Sequence, residues 1–184
     1  MNEKKIIKKA RKGDQEAFGQ LYDKYISGIY RFVFFRINDK SETEDLTQQV
    51  FLKAWQNVSS FKIKKEAKFS SWLYRIAKNL IIDYYRTTKD HINIDDVKYD
   101  QQFAISSKFE ERIDNLTKFK QVKKSLTILT EDERDVIIMK FVEEFSNEEI
   151  AQALDKSRGA VRVTQYRALK KIKCFFQESE LKNK

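Results

Sequence analysis

The stretch SNEEIAQALDKSRGAVRVTQYRALKKI, residues 146–172, decides how the chain is read. Ser146 has the side chain of an N-cap, and Glu149 lies at the spacing from which a carboxylate reaches back to the cap's own N–H. Ile150, Ala151 and Leu154 supply a short apolar face. Asp155-Lys156-Ser157 then breaks the periodicity, Ser157 can cap again, and a longer helix starts near Arg158 and runs past Leu169. A short helix, a tight turn and a longer basic helix is the geometry that lays a recognition helix in the major groove of DNA.

Placed at about 100° per residue, the second helix has two faces. Val161, Gln165, Ala168, Leu169 and Ile172 gather on the side expected to pack inward. Arg162, Val163, Tyr166, Arg167, Lys170 and Lys173 gather on the other, with Gly159 among them. Arginine reads guanine through two parallel hydrogen bonds, and Val or a Tyr ring can touch a thymine methyl. The expectation is that Arg162, Val163, Tyr166 and Arg167 meet base edges, and that Arg158, Lys170 and Lys171 meet phosphates. Taken alone, the stripe would also suit a plain solvated helix.

Working outward, helical spacing extends back to about Leu116 and forward to Phe176, with Thr130 as N-cap and Glu133 completing a second capping box. It also runs from Gln15 to Arg86, and predicts helices over roughly 14–37, 42–57 and 68–86 after a short basic one. The sequence has no proline and only 4 glycines, so its helices lack their strongest breakers. Between 87 and 115 the apolar periodicity weakens and acidic residues accumulate. Lys and Arg outnumber Asp and Glu by 18 to 10 over 1–86, trail by 4 to 7 over 87–115, and lead by 15 to 11 over 116–184. The expected architecture is all-α: a helical domain over 1–86, an acidic linker over 87–115 and a helix-turn-helix domain over 116–184.

A net charge of +9 is compatible with a polyanionic partner, since Lys and Arg on phosphates release condensed counterions. The lone Cys174 can form no internal disulfide and suits a reducing, cytoplasmic setting. The polar, basic stretch Met1 to Lys12 does not read as a signal peptide, and no apolar run approaches the ~20 residues of a bilayer span.

Two features of the first domain go beyond a core. On the 42–57 helix, Leu46, Val50, Phe51, Ala54 and Trp55 make the inward half, while Leu52 is stranded opposite among Asp45, Gln48, Gln49 and Lys53. Such a leucine can anchor a partner helix, although single exposed leucines are common. The segment Phe61 to Arg86 is rich in lysine (Lys62, Lys64, Lys65, Lys68) and leads into FSSWLYRIAKNLIIDYYR, residues 69–86. There Phe69, Leu73, Ile76, Leu80 and Tyr84 form an inward stripe. Ser71, Arg75, Lys78, Asn79 and Arg86 form the opposite one, bordered by Trp72, Tyr74 and Tyr85. Cations that hold a backbone, an Asn that can read a base edge and aromatic faces that receive an unstacked base are what a separated DNA strand requires. Aromatic richness on a helix also serves a core.

The runs SETEDLTQQVFLKAW (41–55) and KFSSWLYRIAKNLIIDYYR (68–86) resemble the second conserved region of bacterial sigma factors. Residues 129–172, from Leu129-Thr130 through the helix-turn-helix, resemble the fourth. Order and spacing are similar to the extracytoplasmic-function subgroup, which has these two domains and a flexible linker. The resemblance implies that Asp45, Gln48, Gln49 and Leu52 lie against the clamp helices of the RNA polymerase core. It implies that Phe61, Lys68, Phe69, Trp72, Arg75, Lys78, Asn79 and Arg86 serve the opened minus-ten element. Arg158, Arg162, Val163, Tyr166, Arg167, Lys170 and Lys171 would serve the duplex minus-thirty-five element. It further implies an anti-sigma partner, no cofactor or metal, no membrane insertion, and a linker that enters the polymerase's RNA exit path. Asp155 in place of a common turn glycine, Thr164 in place of a common Arg, and a basic loop without glycine bear on the promoter read rather than on the class.

Two rivals remain. A stand-alone helix-turn-helix regulator would explain the C-terminal half but not the Leu52 face or the basic-aromatic segment. A metal-dependent nuclease would need Glu42, Glu44 and Asp45, or Asp95 and Asp96, as ligands, yet the single His91 falls in the linker and no phosphate-cradling glycine loop exists.

Overall fold

The computed structural model describes residues 3–63, 68–89 and 116–182. Helix α1 (Glu3–Ala10) turns into α2 (Gln15–Ile37) through Gly13, whose φ of 90° strains any L side chain. Asp14 caps α2 by accepting from the Ala17 N–H at 2.9 Å, and Asn38 ends it in the left-handed region at φ 63°. Asp39 caps α3 (Lys40–Asn57) in the same way through Glu42, and a turn of 3₁₀ helix, Val58–Ser60, follows. α4 spans Phe69–Lys89, so it continues three residues past the expected end of the first domain; most of the acidic segment, 90–115, lies outside the described residues, as does His91.

These helices bury one core. α2 gives Leu21, Ile29, Phe32 and Val33, α3 gives Leu46, Val50, Phe51 and Ala54, and α4 gives Phe69, Leu73, Ala77 and Ile81. Each large side chain removed from water contributes about 1.5–3 kcal/mol. This core fixes which face of α3 and α4 looks outward.

The second unit comprises α5 (Leu116–Thr127), α6 (Glu131–Ile137), a π-helical turn (Ile138–Val142), α7 (Asn147–Leu154) and α8 (Arg158–Lys182). Thr130 and Ser146 each form a complete capping box, with Glu133 and Glu149 respectively, as their spacing predicts. α7 stops at Asp155, left-handed at φ 55°, and Ser157 Oγ accepts from the Ala160 N–H at 3.1 Å to start α8. Val161 and Ala168 anchor α8 fully to the rest of the unit, whereas Leu169, expected to face inward, is 41% exposed. With α5, α6 and α7 packing on its first half only, α8 has too little partner surface to cover that position.

The two units are packed together. α4 lies against α7, and α2 meets the π-helical turn. Tyr74, expected at the border of an exposed stripe, is consequently buried, its ring 5.2 Å from Phe32 of its own unit and 4.8 Å from Phe145 of the other.

Candidate nucleic-acid and polymerase interfaces

The outer face of α8 is open. Arg158, Arg162, Val163, Tyr166, Arg167, Lys170 and Lys171 are all exposed, with Val163 at 49% and Tyr166 at 69%. Two apolar side chains held out beside a row of cations are costly to hydrate and suit a base edge better than bulk water. A Cβ built at Gly159 meets only Ser157 Oγ, at 3.9 Å, so this start of the helix has open space before it. Lys171 differs from its neighbours, because its Nζ pairs with Glu133 at 2.7 Å. Burial pushes the Glu133 carboxyl up, but the bonds from Lys171 and Thr130 outweigh it and hold the group below its ordinary value.

The outer face of α3 is also open. Asp45, Gln48 and Gln49 are exposed and Leu52 is 57% exposed among them, while Leu46, Val50, Phe51 and Ala54 hold the opposite side in the core. Trp55 is only half-buried, edge-on to Phe18 at 5.0 Å.

The α4 face divides into three parts. Phe61 and Phe69 are buried, 6% and 2% exposed, and therefore support the surface rather than form it. Each lies 5.3 Å from the half-buried Trp72 ring, so the pair fixes how that ring is presented. Asn79 and Arg86 are exposed, Arg86 reaching Asp83 at 3.1 Å. Lys64 and Lys65 of the preceding loop lie outside the described residues.

The third part faces the second unit. Lys68 Nζ pairs with Glu149 at 2.9 Å, and Ser71 Oγ donates to the Glu149 carbonyl at 3.0 Å. Arg75 donates to the Gln152 carbonyl and lies 3.7 Å from Asp155, and Lys78 reaches Asp132 at 3.5 Å. Asp132 also accepts from Lys156 at 2.5 Å, and that bond, with the nearby lysines, holds its carboxyl below its ordinary value despite burial. Burial likewise pushes Glu149 up, yet the bonds from Ser146 and Lys68 leave it lowered. Ser71, expected outward, is 2% exposed beneath this contact.

Sequence reasoning missed a further group. Arg31 of α2 makes a two-pronged bond to Glu143, both arms at 2.9 Å, and Tyr74 Oη donates to the same carboxylate at 2.8 Å. Nearby, Arg36 (3% exposed) lies 3.4 Å from the buried Asp135, whose oxygens have no hydrogen-bond donor. Burial lifts the Asp135 carboxyl to about 6, with Arg36 opposing. Local sequence holds no signal for these pairings, which join residues about a hundred positions apart.

Among the described residues no group of three or more His, Cys, Asp or Glu side chains is placed to hold a metal, and Glu44 of the rival ligand set pairs with Lys40 at 3.9 Å. Among the same residues no helix is long and apolar enough to cross a membrane.

Comparison with known proteins agrees with the two-unit layout. Sigma-70 region 2 matches residues 21–91, and Sigma-70 region 4 matches 119–172. The ECF RNA polymerase sigma factor SigW of Bacillus subtilis is 34% identical over 172 residues, covering 89% of this chain and 91% of SigW. The ECF RNA polymerase sigma factor BldN of Streptomyces coelicolor is 27% identical over 91% of this chain, which spans 63% of BldN's length. Among solved structures, the sigma factor RpoE in complex with the anti-sigma factor NepR from Bartonella quintana superimposes with a TM-score of 0.71 at 22% identity, over 87% of this chain and 96% of RpoE. Two sigma regions in order, on the faces described, with a relative of this identity along nearly the whole chain, lead to one conclusion: the chain belongs to the ECF family of RNA polymerase sigma factors.

Proposed function

We propose that this sigma factor directs core RNA polymerase to its promoters through three faces with separate tasks. The α3 face, Asp45, Gln48, Gln49 and Leu52, docks on the clamp helices of the core, with Leu52 as the apolar anchor. The α8 face reads the duplex minus-thirty-five element, Arg162, Val163, Tyr166 and Arg167 at base edges and Arg158, Lys170 and Lys171 at phosphates. The α4 face takes the opened minus-ten strand: Lys68, Arg75, Lys78 and Arg86 hold its backbone, Asn79 meets a base edge, and Trp72, braced by Phe61 and Phe69, flanks a flipped base. Holding that strand offsets the few kcal/mol needed to unstack each promoter base. The polymerase performs the chemistry and the sigma factor performs none. Residues 1–86 and 116–184 act as the two working domains, in the cytoplasm, and an anti-sigma protein of the kind that RpoE binds would restrain them.

The observation that carries this reading is the coexistence, on one chain, of an exposed basic recognition helix and a separate basic-aromatic helix with an exposed docking leucine two elements away. Permanganate mapping of promoter DNA tests it. Core polymerase plus this chain is expected to make thymines of the minus-ten element reactive; a duplex that stays closed refutes the reading.

A further inference from the structure

Six ion pairs join the two units among the described residues: Arg31–Glu143, Arg36–Glu131, Arg36–Asp135, Lys68–Glu149, Arg75–Asp155 and Lys78–Asp132. In all six the cation belongs to region 2 and the anion to region 4, although region 4 as a whole carries more cations than anions. Its acidic side chains are thus collected on the side that meets region 2. Three of them, Glu149, Asp155 and Asp132, sit on cations assigned above to the opened strand, where phosphates would otherwise lie.

Those outer pairs are partly solvated and weak individually. The group at Glu143 differs in kind. Its carboxylate side chain is 5% exposed, takes both arms of Arg31 and the Tyr74 hydroxyl, and has Phe145 two residues on packed against the Tyr74 ring. Glu144 between them is held at φ 57°, a left-handed conformation that a non-glycine residue keeps only where its surroundings impose it. The arrangement depends on Gly28 of α2. A Cβ there would lie 2.7 Å from Tyr74 Oη and 2.8 Å from Glu143 Oε2, closer than real Cβ contacts, and the Tyr74 ring is too firmly packed to yield. Nothing in α2 itself asks for glycine at mid-helix, where it costs up to about 1 kcal/mol relative to alanine.

We propose that Arg31, Tyr74 and Glu143, seated over Gly28, form a latch that holds regions 2 and 4 closed on each other, so that the free chain covers its own strand-binding cations with acidic residues of region 4 until docking on the polymerase pulls the regions apart. The blocking role rests on the reading of α4 given above; the latch itself does not. Once Glu143 is displaced, the outer pairs face solvent and separate at little cost, which leaves Lys68, Arg75 and Lys78 to DNA.

Single-molecule energy transfer on the full chain tests this, with one dye on the exposed Cys174 and another on a cysteine placed at the exposed Glu16. The unaltered chain is expected to show one narrow, high-transfer population. Gly28→Ala and, independently, Glu143→Gln are expected to move most molecules to a broad, low-transfer population with helical circular dichroism retained. Affinity for a single-stranded minus-ten oligonucleotide should rise about tenfold, because the competent fraction is no longer small. Gly28→Ala favours the helix it sits in, and Glu143→Gln keeps the side-chain volume, so one variant remains informative if the other misfolds. Transfer unchanged in both folded variants, or an unaltered chain already in the broad population, overturns the latch. Opening without tighter strand binding upholds the latch and counts against the α4 reading instead.

Discussion

Asp135 is the residue whose surroundings are least comfortable. It is 1% exposed, its oxygens lack a hydrogen-bond donor, and its one cation, Arg36, stands at 3.4 Å, beyond good hydrogen-bond length. Burial raises its carboxyl from 3.8 to about 6, so the proton binds more tightly in the folded, closed chain than in the opened or unfolded one. A group raised in this way contributes stability that is complete below pH 3.8 and is lost as pH climbs through 6. The thermal midpoint should therefore rise between pH 7 and pH 5. The lowered carboxyls of Asp132, Glu133 and Glu149 act oppositely, but only as pH falls below their already depressed values, so they leave this window alone. Asp135→Asn, which cannot titrate, is expected to abolish the rise, as differential scanning calorimetry at the two pH values would reveal. Single residues also mark where sequence reading stops. Ser146 with Glu149 and Thr130 with Glu133 were legible because a capping box is contained in four residues. Tyr74 was misplaced because its burial is supplied by Phe145, which no local pattern links to it.

Among elements, the length and type of α2, α3 and α4 followed from apolar spacing, since each buries one stripe against its immediate neighbours. What spacing cannot register is a second buried stripe. α4 packs on α3 with one side and on α7 with another, so Ser71 was read as outward when it lies beneath region 4. The π-helical turn over Ile138–Val142 was equally invisible, being written in the same apolar residues as a regular helix. For α8 the division of labour along its outer face leads to two distinct outcomes in fluorescence-anisotropy titrations of minus-thirty-five duplexes. Arg162→Ala is expected to cost about 1–3 kcal/mol on the cognate sequence and to relax discrimination at one base pair. Lys170→Ala should weaken all sequences alike and lower the salt slope by about one. Equal losses on cognate and scrambled duplexes for both would remove the base-reading assignment.

At the scale of the molecule, the charge pattern takes on a meaning that composition alone does not give. A basic chain predicts a polyanion, and both regions are basic, yet they attract each other because region 4 turns its acids inward and its cations outward along α8. The fold class and the order of the two regions were legible from helical spacing and the two long motifs. How the regions meet was not, because it rests on pairs such as Arg31–Glu143 that no periodicity encodes. One face is untouched by that closure: on α3, Leu52 stays exposed with Asp45, Gln48 and Gln49 around it. The chain can therefore meet its polymerase while closed, and everything else follows that encounter. Size-exclusion chromatography of the purified full chain with bacterial core polymerase measures it most directly. Co-elution in one-to-one proportion, lost for Leu52→Asp while the variant remains folded, is the predicted result; a native chain that elutes apart from the core would contradict the account.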